Sequence, residues 1–139
     1  MSGVATSWGK AAPYLRSILR IVMGFLFMQH GCEKLFGFLP GHGQFHLISS
    51  AHLFTLHPGL AGILEFGGGL LILLGLFTRP VAFILSGEMA FAYFMVHIHG
   101  GLWPLVNYGG MAVAFCFVFL YLSAAGGGPW GIDSLRGRK

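Results

Sequence analysis

The fold turns on one stretch, GLAGILEFGGGLLILLGLF, residues 59–77, in which Glu65 is the sole charge. About 20 apolar residues in helical conformation cross the hydrocarbon core of a bilayer, so this stretch reads as a membrane helix. Pro58 stands just before it, where a helix tolerates proline best. Gly62, Glu65, Gly68 and Gly69 recur at spacings of three and four and therefore share a face. Small residues on such a face let a second helix approach closely, so it is expected to be a helix interface around a carboxylate.

Working outward, three further apolar stretches are expected to span, at 17–38, 81–97 and 107–125. The expected fold is an all-α membrane protein, an antiparallel four-transmembrane-helix bundle, with residues 1–139 as a single domain. Pro40 and Gly-Ser punctuation mark a long connection after the first stretch, Thr78-Arg79-Pro80 a tight turn, and Gly100-Gly101 with Trp103-Pro104 a third break. Of the 139 residues 55% are hydrophobic and 9% charged, against about 25% charged in soluble domains, which excludes an ordinary water-soluble fold. A mean hydropathy of +0.76, gathered into long runs, excludes disorder. Net charge is +4, but the basic residues form no stripe interleaved with aromatics, so nucleic acid is not an expected partner. Cys32 and Cys116 lack CxxC spacing, which argues against a disulfide scaffold or thiol exchange. The basic start before an apolar run is like a signal peptide but lacks a small-residue cleavage site, so a retained helix is expected.

Lys10, Arg16, Arg20, Arg79, Arg136, Arg138 and Lys139 all fall on one side of a four-span arrangement. By the positive-inside rule that side, with both termini, is expected to be cytoplasmic in a bacterial inner membrane. Lys34 alone lies toward the other face.

Carboxylates within spans are costly, so Glu33, Glu65 and Glu88 are expected to face the bundle interior, to pair, or to carry a proton. His30, Glu33 and Lys34 project from roughly one side of the first helix. At 1.5 Å per residue, Glu33 and Glu65 lie about 10 Å or less below the same boundary, with Lys34 a counter-charge for one of them. His30, Glu33, Lys34, Glu65 and Glu88 thus form a candidate polar pocket, with Tyr93 and His97 as candidate ring contacts near its mouth. A charge-neutralised network that only fixes helix packing has the same residue list. Tyr93 and Tyr121, inside spans, are expected to donate hydrogen bonds, whereas Trp103, Tyr108 and Trp130 suit interfacial anchoring. The loop histidines, including His42 and His46, have no carboxylate or thiolate array beside them, so no metal site is expected. His30 and His97 offer no convincing axial pair for haem.

Several pieces then stand in a recognisable order: His30-Gly31-Cys32-Glu33-Lys34-Leu35-Phe36-Gly37, Glu65 with its glycines, Gly75-Leu76-Phe77-Thr78-Arg79-Pro80, Glu88, Ala92-Tyr93 through His97, Trp103-Pro104, Asn107, and Gly126-Gly127-Gly128-Pro129-Trp130 up to Asp133. From about Arg16 to Asp133 this order resembles the DoxX family. The resemblance implies a four-helix membrane protein and an association with membrane oxidoreductase systems, among them a thiosulfate:quinone oxidoreductase and a complex linked to oxidative-stress defence. Many relatives carry an acidic residue after the glycine pair that follows the family asparagine, where this chain has Met111. No flavin, dinucleotide or iron–sulfur motif is present, so a quinone or a partner would supply any redox chemistry.

Two functions are expected to compete. In one, the chain is a quinone-interacting subunit whose His30, Glu33, Glu65 and Glu88 exchange protons with the quinone oxygens. In the other, it is a non-catalytic accessory subunit packed in a larger membrane complex, or against itself, with the same charges as internal struts. A four-span transporter is disfavoured because no internal repeat supplies a second gate.

Overall fold

The computed structural model describes residues 2–37 and 47–137, and all regular structure among them is helical. Helix α1 runs Ser2–Phe36, α2 Leu56–Leu74, α3 Thr78–Gly100 and α4 Gly110–Ala125. Single helical turns at Ser50–Leu53 and Ile132–Leu135 complete the fold. Three of these helices are long and apolar enough to cross a membrane, and α4, also apolar, is shorter. His42 and His46 lie outside the described residues, as do the expected end of the first span at 38 and the tail residues Arg138 and Lys139.

Helix bounds differ from the apolar stretches at several points. Helix α3 runs 78–100 where 81–97 is expected, so that Thr78-Arg79-Pro80 opens this helix instead of forming the turn, and α4 begins at 110 instead of 107. Helix α1 begins fifteen residues before position 17, because nothing in its more polar first turns, Pro13 included, interrupts the helix. Helix α2 stops at Leu74, before 77, because Gly75 turns into the left-handed region (φ +67°). Leu76 N then donates to Leu71 O at 3.0 Å, the reach-back that closes a helix end. At the other end His57 is extended (φ −140°, ψ 130°), so the continuous helix starts at Pro58.

The helices pack as two antiparallel hairpins. In the first, α1 and α2 approach until backbone meets backbone. A Cβ built on Gly31 would lie 2.2 Å from Phe66 N, and one on Gly69 would lie 2.7 Å from Met28 N. The face expected at Gly62, Gly68 and Gly69 is indeed an interface, but it is shared: Gly62 and Gly69 meet α1, and Gly68 meets Leu85 of α3. In the second hairpin Arg79 Nη1 donates to Ala124 O at 2.6 Å and Ser86 Oγ to Cys116 O at 2.9 Å, which sets α3 against α4. Phe27 joins the hairpins, its ring 5.0 Å from that of Phe115 and 4.9 Å from that of Phe119. Around this core, Ile72, Leu85 and Leu122 are fully buried, while Val22, Phe25, Phe83, Phe117 and Leu120 point outward as a lipid-facing surface requires.

One end of the bundle is closed by Arg20, which is fully buried. Its Nε donates to Gly127 O at 2.8 Å, Nη1 to Ile72 O at 2.6 Å and to Leu73 O, and Nη2 to Trp130 O at 3.1 Å. The last carbonyls of a helix have no partner within it, and here a charged donor from α1 supplies one for the end of α2. Asp133 serves the start of α3 in the same way, accepting from Phe77 N at 2.9 Å and Thr78 N at 2.8 Å. It thereby holds Phe77 in a left-handed conformation (φ 52°) that a non-glycine residue seldom adopts.

The α1–α2 seam makes a direct prediction. Gly31→Leu is expected to lower thermal stability in detergent by at least the roughly 1–3 kcal/mol of an overpacked core. Gly87→Ala, where an added Cβ meets nothing within 4 Å, is expected to change it by no more than about 1 kcal/mol. Melting curves followed by circular dichroism compare the two.

Candidate functional site

The seam decides which polar residues of α1 turn inward. At 100° per residue, Gly24, Gly31 and Leu35 share the face that meets α2, Lys34 flanks it, and Glu33 falls about 180° from Gly24. The structure agrees with this projection. Lys34 Nζ forms an ion pair with Glu65 Oε1, and Glu65 is only 4% exposed. Glu33 points outward and is exposed, making no side-chain hydrogen bond or ion pair among the described residues. His30 is also exposed, its ring edge-on to Phe115 at 5.9 Å. The structure thus leaves Glu33, and with it His30, outside the polar pocket expected with Lys34, Glu65 and Glu88, because adjacent helix positions splay and only one of Glu33 and Lys34 can enter the seam.

Glu65 sits in a widened, π-helical turn, Leu64–Gly68, which occupies the middle of α2. Such one-turn widenings recur at functional sites and re-aim a side chain without ending the helix. Glu88 of α3 lies within electrostatic reach of both Glu65 and Lys34. Both of its carboxylate oxygens are buried and have no hydrogen-bond partner among the described residues, as is also true of Glu65 Oε2. The inner cluster is thus Lys34, Glu65 and Glu88: two carboxylates against one ammonium, with three carboxylate oxygens unpartnered. It can hold a net negative charge or take up a proton.

Tyr93 and His97 belong to a different constellation, about two turns toward the end of α3. Tyr93 Oη donates to Leu102 O at 2.6 Å and accepts from Asn107 Nδ2 at 3.3 Å. Asn107, itself buried, also donates to Gly101 O at 2.7 Å and accepts from Gly109 N at 2.8 Å, while His97 Nδ1 stands 3.1 Å from Asn107 O. These bonds pin the 101–109 connection onto α3. The Tyr93 ring lines an apolar cleft of about 430 Å³ between α3 and α4, together with Met89, Phe94, Trp103 and Phe117. His97 does not line it. Glu88 projects from the opposite face of α3, so cleft and carboxylate cluster are separate. Tyr121 is half exposed on the outside of α4 and makes no side-chain hydrogen bond among the described residues, contrary to expectation.

Sequence reasoning passed over two residues that the structure makes central. Arg20 reads as a topology charge because its acceptors are all backbone carbonyls. Asn107 reads in the sequence only as one piece of the family-like order, although an asparagine between Val106 and Tyr108 at a helix entry is a common turn-former.

Comparison with known proteins agrees with this architecture. The family model described as DoxX matches residues 15–98. An uncharacterized protein of Haemophilus influenzae is 37% identical over 129 residues, covering 90% of this chain and 92% of its own length. The inner membrane protein YqjF of Escherichia coli is 32% identical, covering 88% of this chain and 92% of its own. An uncharacterized membrane protein of Mycobacterium tuberculosis is 28% identical over 83% of this chain and 77% of its own. No solved structure matches the chain.

The ion pair is testable by a double-mutant cycle. Lys34→Met strands a buried carboxylate and is expected to cost about 3–5 kcal/mol, while Lys34→Met combined with Glu65→Leu, which removes both charges, is expected to recover most of it. Glu33→Gln is expected to stay within about 0.5 kcal/mol of the parent. Unfolding midpoints in detergent of the parent, Lys34→Met, Glu65→Leu and the double variant close the cycle, with Glu33→Gln as the control.

Proposed function

The chain belongs to the DoxX family of membrane proteins, and from that premise we propose that it is a four-span subunit of a larger membrane assembly serving a quinone-linked oxidoreductase system. The observation that carries the assembly reading is the outward placement of His30 and Glu33. Both lie in α1 at the level of Glu65, about 10 Å inside the start of α2 at Pro58. Polar side chains at such depth face protein rather than lipid, so this side of α1 is read as covered by another subunit or a second copy. Four spans are supported by the apolar α4 lying antiparallel to α3, and an even count with one-sided Lys and Arg supports the reading that both termini face the cytoplasm of a bacterial inner membrane.

The quinone link is favoured by two features. The cleft walled by Met89, Tyr93, Phe94, Trp103 and Phe117 fits a flat apolar ring or an isoprenoid tail, and the inner cluster fits proton exchange. Tyr93 suits ring contact only, since its hydroxyl proton is engaged by Leu102 O. A quinone, when bound, supplies two-electron chemistry, taking two electrons from a redox subunit outside this chain and two protons. This chain would seat the ring against Tyr93 and Trp103, while the cluster of Glu88 with the Lys34–Glu65 pair, on the other face of α3, is separate from that cleft and gives the ring no proton directly.

A photo-crosslinking amino acid placed at Glu33 tests the assembly reading in native membranes, with Phe83, exposed on α3, as control. The expected product at position 33 is a defined protein adduct whose mass identifies a partner subunit or a second copy, absent at position 83. Lipid adducts alone at both positions would overturn the assembly reading. Stoichiometric quinone retained after mild extraction is expected of the quinone link, and its consistent absence would remove it.

A further inference from the structure

The basic end of the bundle carries a second cavity, about 610 Å³, unrelated to the carboxylate cluster. Its walls come from Pro13 and Arg16 of α1, Thr78 and Arg79 at the start of α3, and the glycines that follow α4. Two observations set it apart from a mere gap. The Thr78 side chain is 1% exposed, yet its hydroxyl has no hydrogen-bond partner among the described residues. Arg16 Nε is likewise buried and unpartnered. Unmet hydrogen-bonding capacity of this kind is unfavourable unless something binds there.

The charge balance names the chemistry of the occupant. Arg16 and Arg79 line the cavity, and Arg20 lies behind it within electrostatic reach of Asp133, the one carboxylate present. Asp133 is engaged by the Phe77 and Thr78 amides, and Arg79 commits a single nitrogen to Ala124 O. Three guanidinium groups against one carboxylate leave an anion site, and a planar fork of donors suits phosphate oxygens. Position then selects the source of the phosphate. Tyr14 and Trp130 pack beside this end, tilted with ring centroids 5.8 Å apart and both about half exposed, which is the placement of aromatic anchors at headgroup level.

We propose that Arg16, Arg79 and Thr78 form a binding site for the phosphate of an anionic phospholipid at the basic end of the bundle. The arginines hold the phosphodiester, Thr78 Oγ1 donates to one of its oxygens, and the acyl chains run along the lipid-facing surface. The glycines after α4 line the same cavity, and Gly127 packs closely on the threonine, since a Cβ there would lie 2.7 Å from Thr78 Oγ1.

The test uses the full chain, delipidated in detergent and titrated with dioleoylphosphatidylglycerol, dioleoylphosphatidylcholine or inorganic phosphate, with native mass spectrometry and melting temperature as readouts. Phosphatidylglycerol is expected to remain bound and to raise the melting temperature; phosphatidylcholine and inorganic phosphate at equal concentration are not. Arg16 makes no hydrogen bond within the described residues, so Arg16→Gln loses no internal contact, and it is expected to weaken retention about tenfold, the scale of one charge-assisted hydrogen bond. Arg79→Gln is expected to act likewise, and Lys10→Gln, exposed outside the cavity, to bind as the parent does. Equal retention of phosphatidylcholine, undiminished retention in Arg16→Gln, or an equal loss in Lys10→Gln would each overturn the site. Equal stabilisation by inorganic phosphate would overturn the lipid as its occupant and assign a soluble phosphate instead.

Discussion

Much of this structure hangs on the burial of a single guanidinium. A charged arginine taken out of water needs acceptors around its guanidinium, and each nitrogen of Arg20 finds at least one carbonyl, among Ile72, Leu73, Gly127 and Trp130. Those acceptors belong to the end of α2 and to the segment after α4, elements far apart in the chain. The bilayer makes the arrangement mutual, since helix-end carbonyls that lose water must be met from within the protein. Removing Arg20 would thus unsatisfy two segments at once, and changing either segment would strand a buried charge.

With that end tied, the two ends of the bundle can differ in character. At the basic end Arg20 and Asp133 meet backbone groups at the ends of α2 and α3 and after α4, and Arg16 and Arg79 line the cavity. Toward the other end α1 and α2 stay in backbone contact through Gly31, and the polar side chains sort by their angle around α1. Lys34 enters the bundle and Glu33 leaves it. That sorting leaves an inner cluster short of one positive charge, while His30 and Glu33 are left exposed on the outside, His30 edge-on to Phe115. Both follow from how tightly two helices pack, so packing here sets the electrostatics.

How much of this was legible in the sequence varies residue by residue. The apolar helices, the helix start at Pro58 and the glycine interface around Glu65 follow from periodicity and side-chain size, which are local properties. Lys34 as a counter-charge was legible from depth. Which of Glu33 and Lys34 turns inward was not read, although the signal existed: Gly24, Gly31 and Leu35 mark the contact face, and Glu33 lies opposite. The Arg20 site was beyond reach, because carbonyl acceptors carry no side-chain signature and most lie in segments whose approach is purely tertiary. The unpartnered Thr78 hydroxyl was equally hidden, since only the path of the glycines after α4 buries it. The π-helical turn at Glu65 has no clear sequence mark beyond the glycines that follow.

The inner cluster is built on Lys34 and Glu65, with Glu33 outside it. Solid-state NMR on protein in lipid bilayers can measure dipolar coupling between the Lys34 side-chain nitrogen and each glutamate carboxyl carbon. Strong coupling to Glu65, corresponding to about 4 Å or less, is expected, and none to Glu33. Coupling of Lys34 to Glu33 in place of Glu65 would contradict this arrangement.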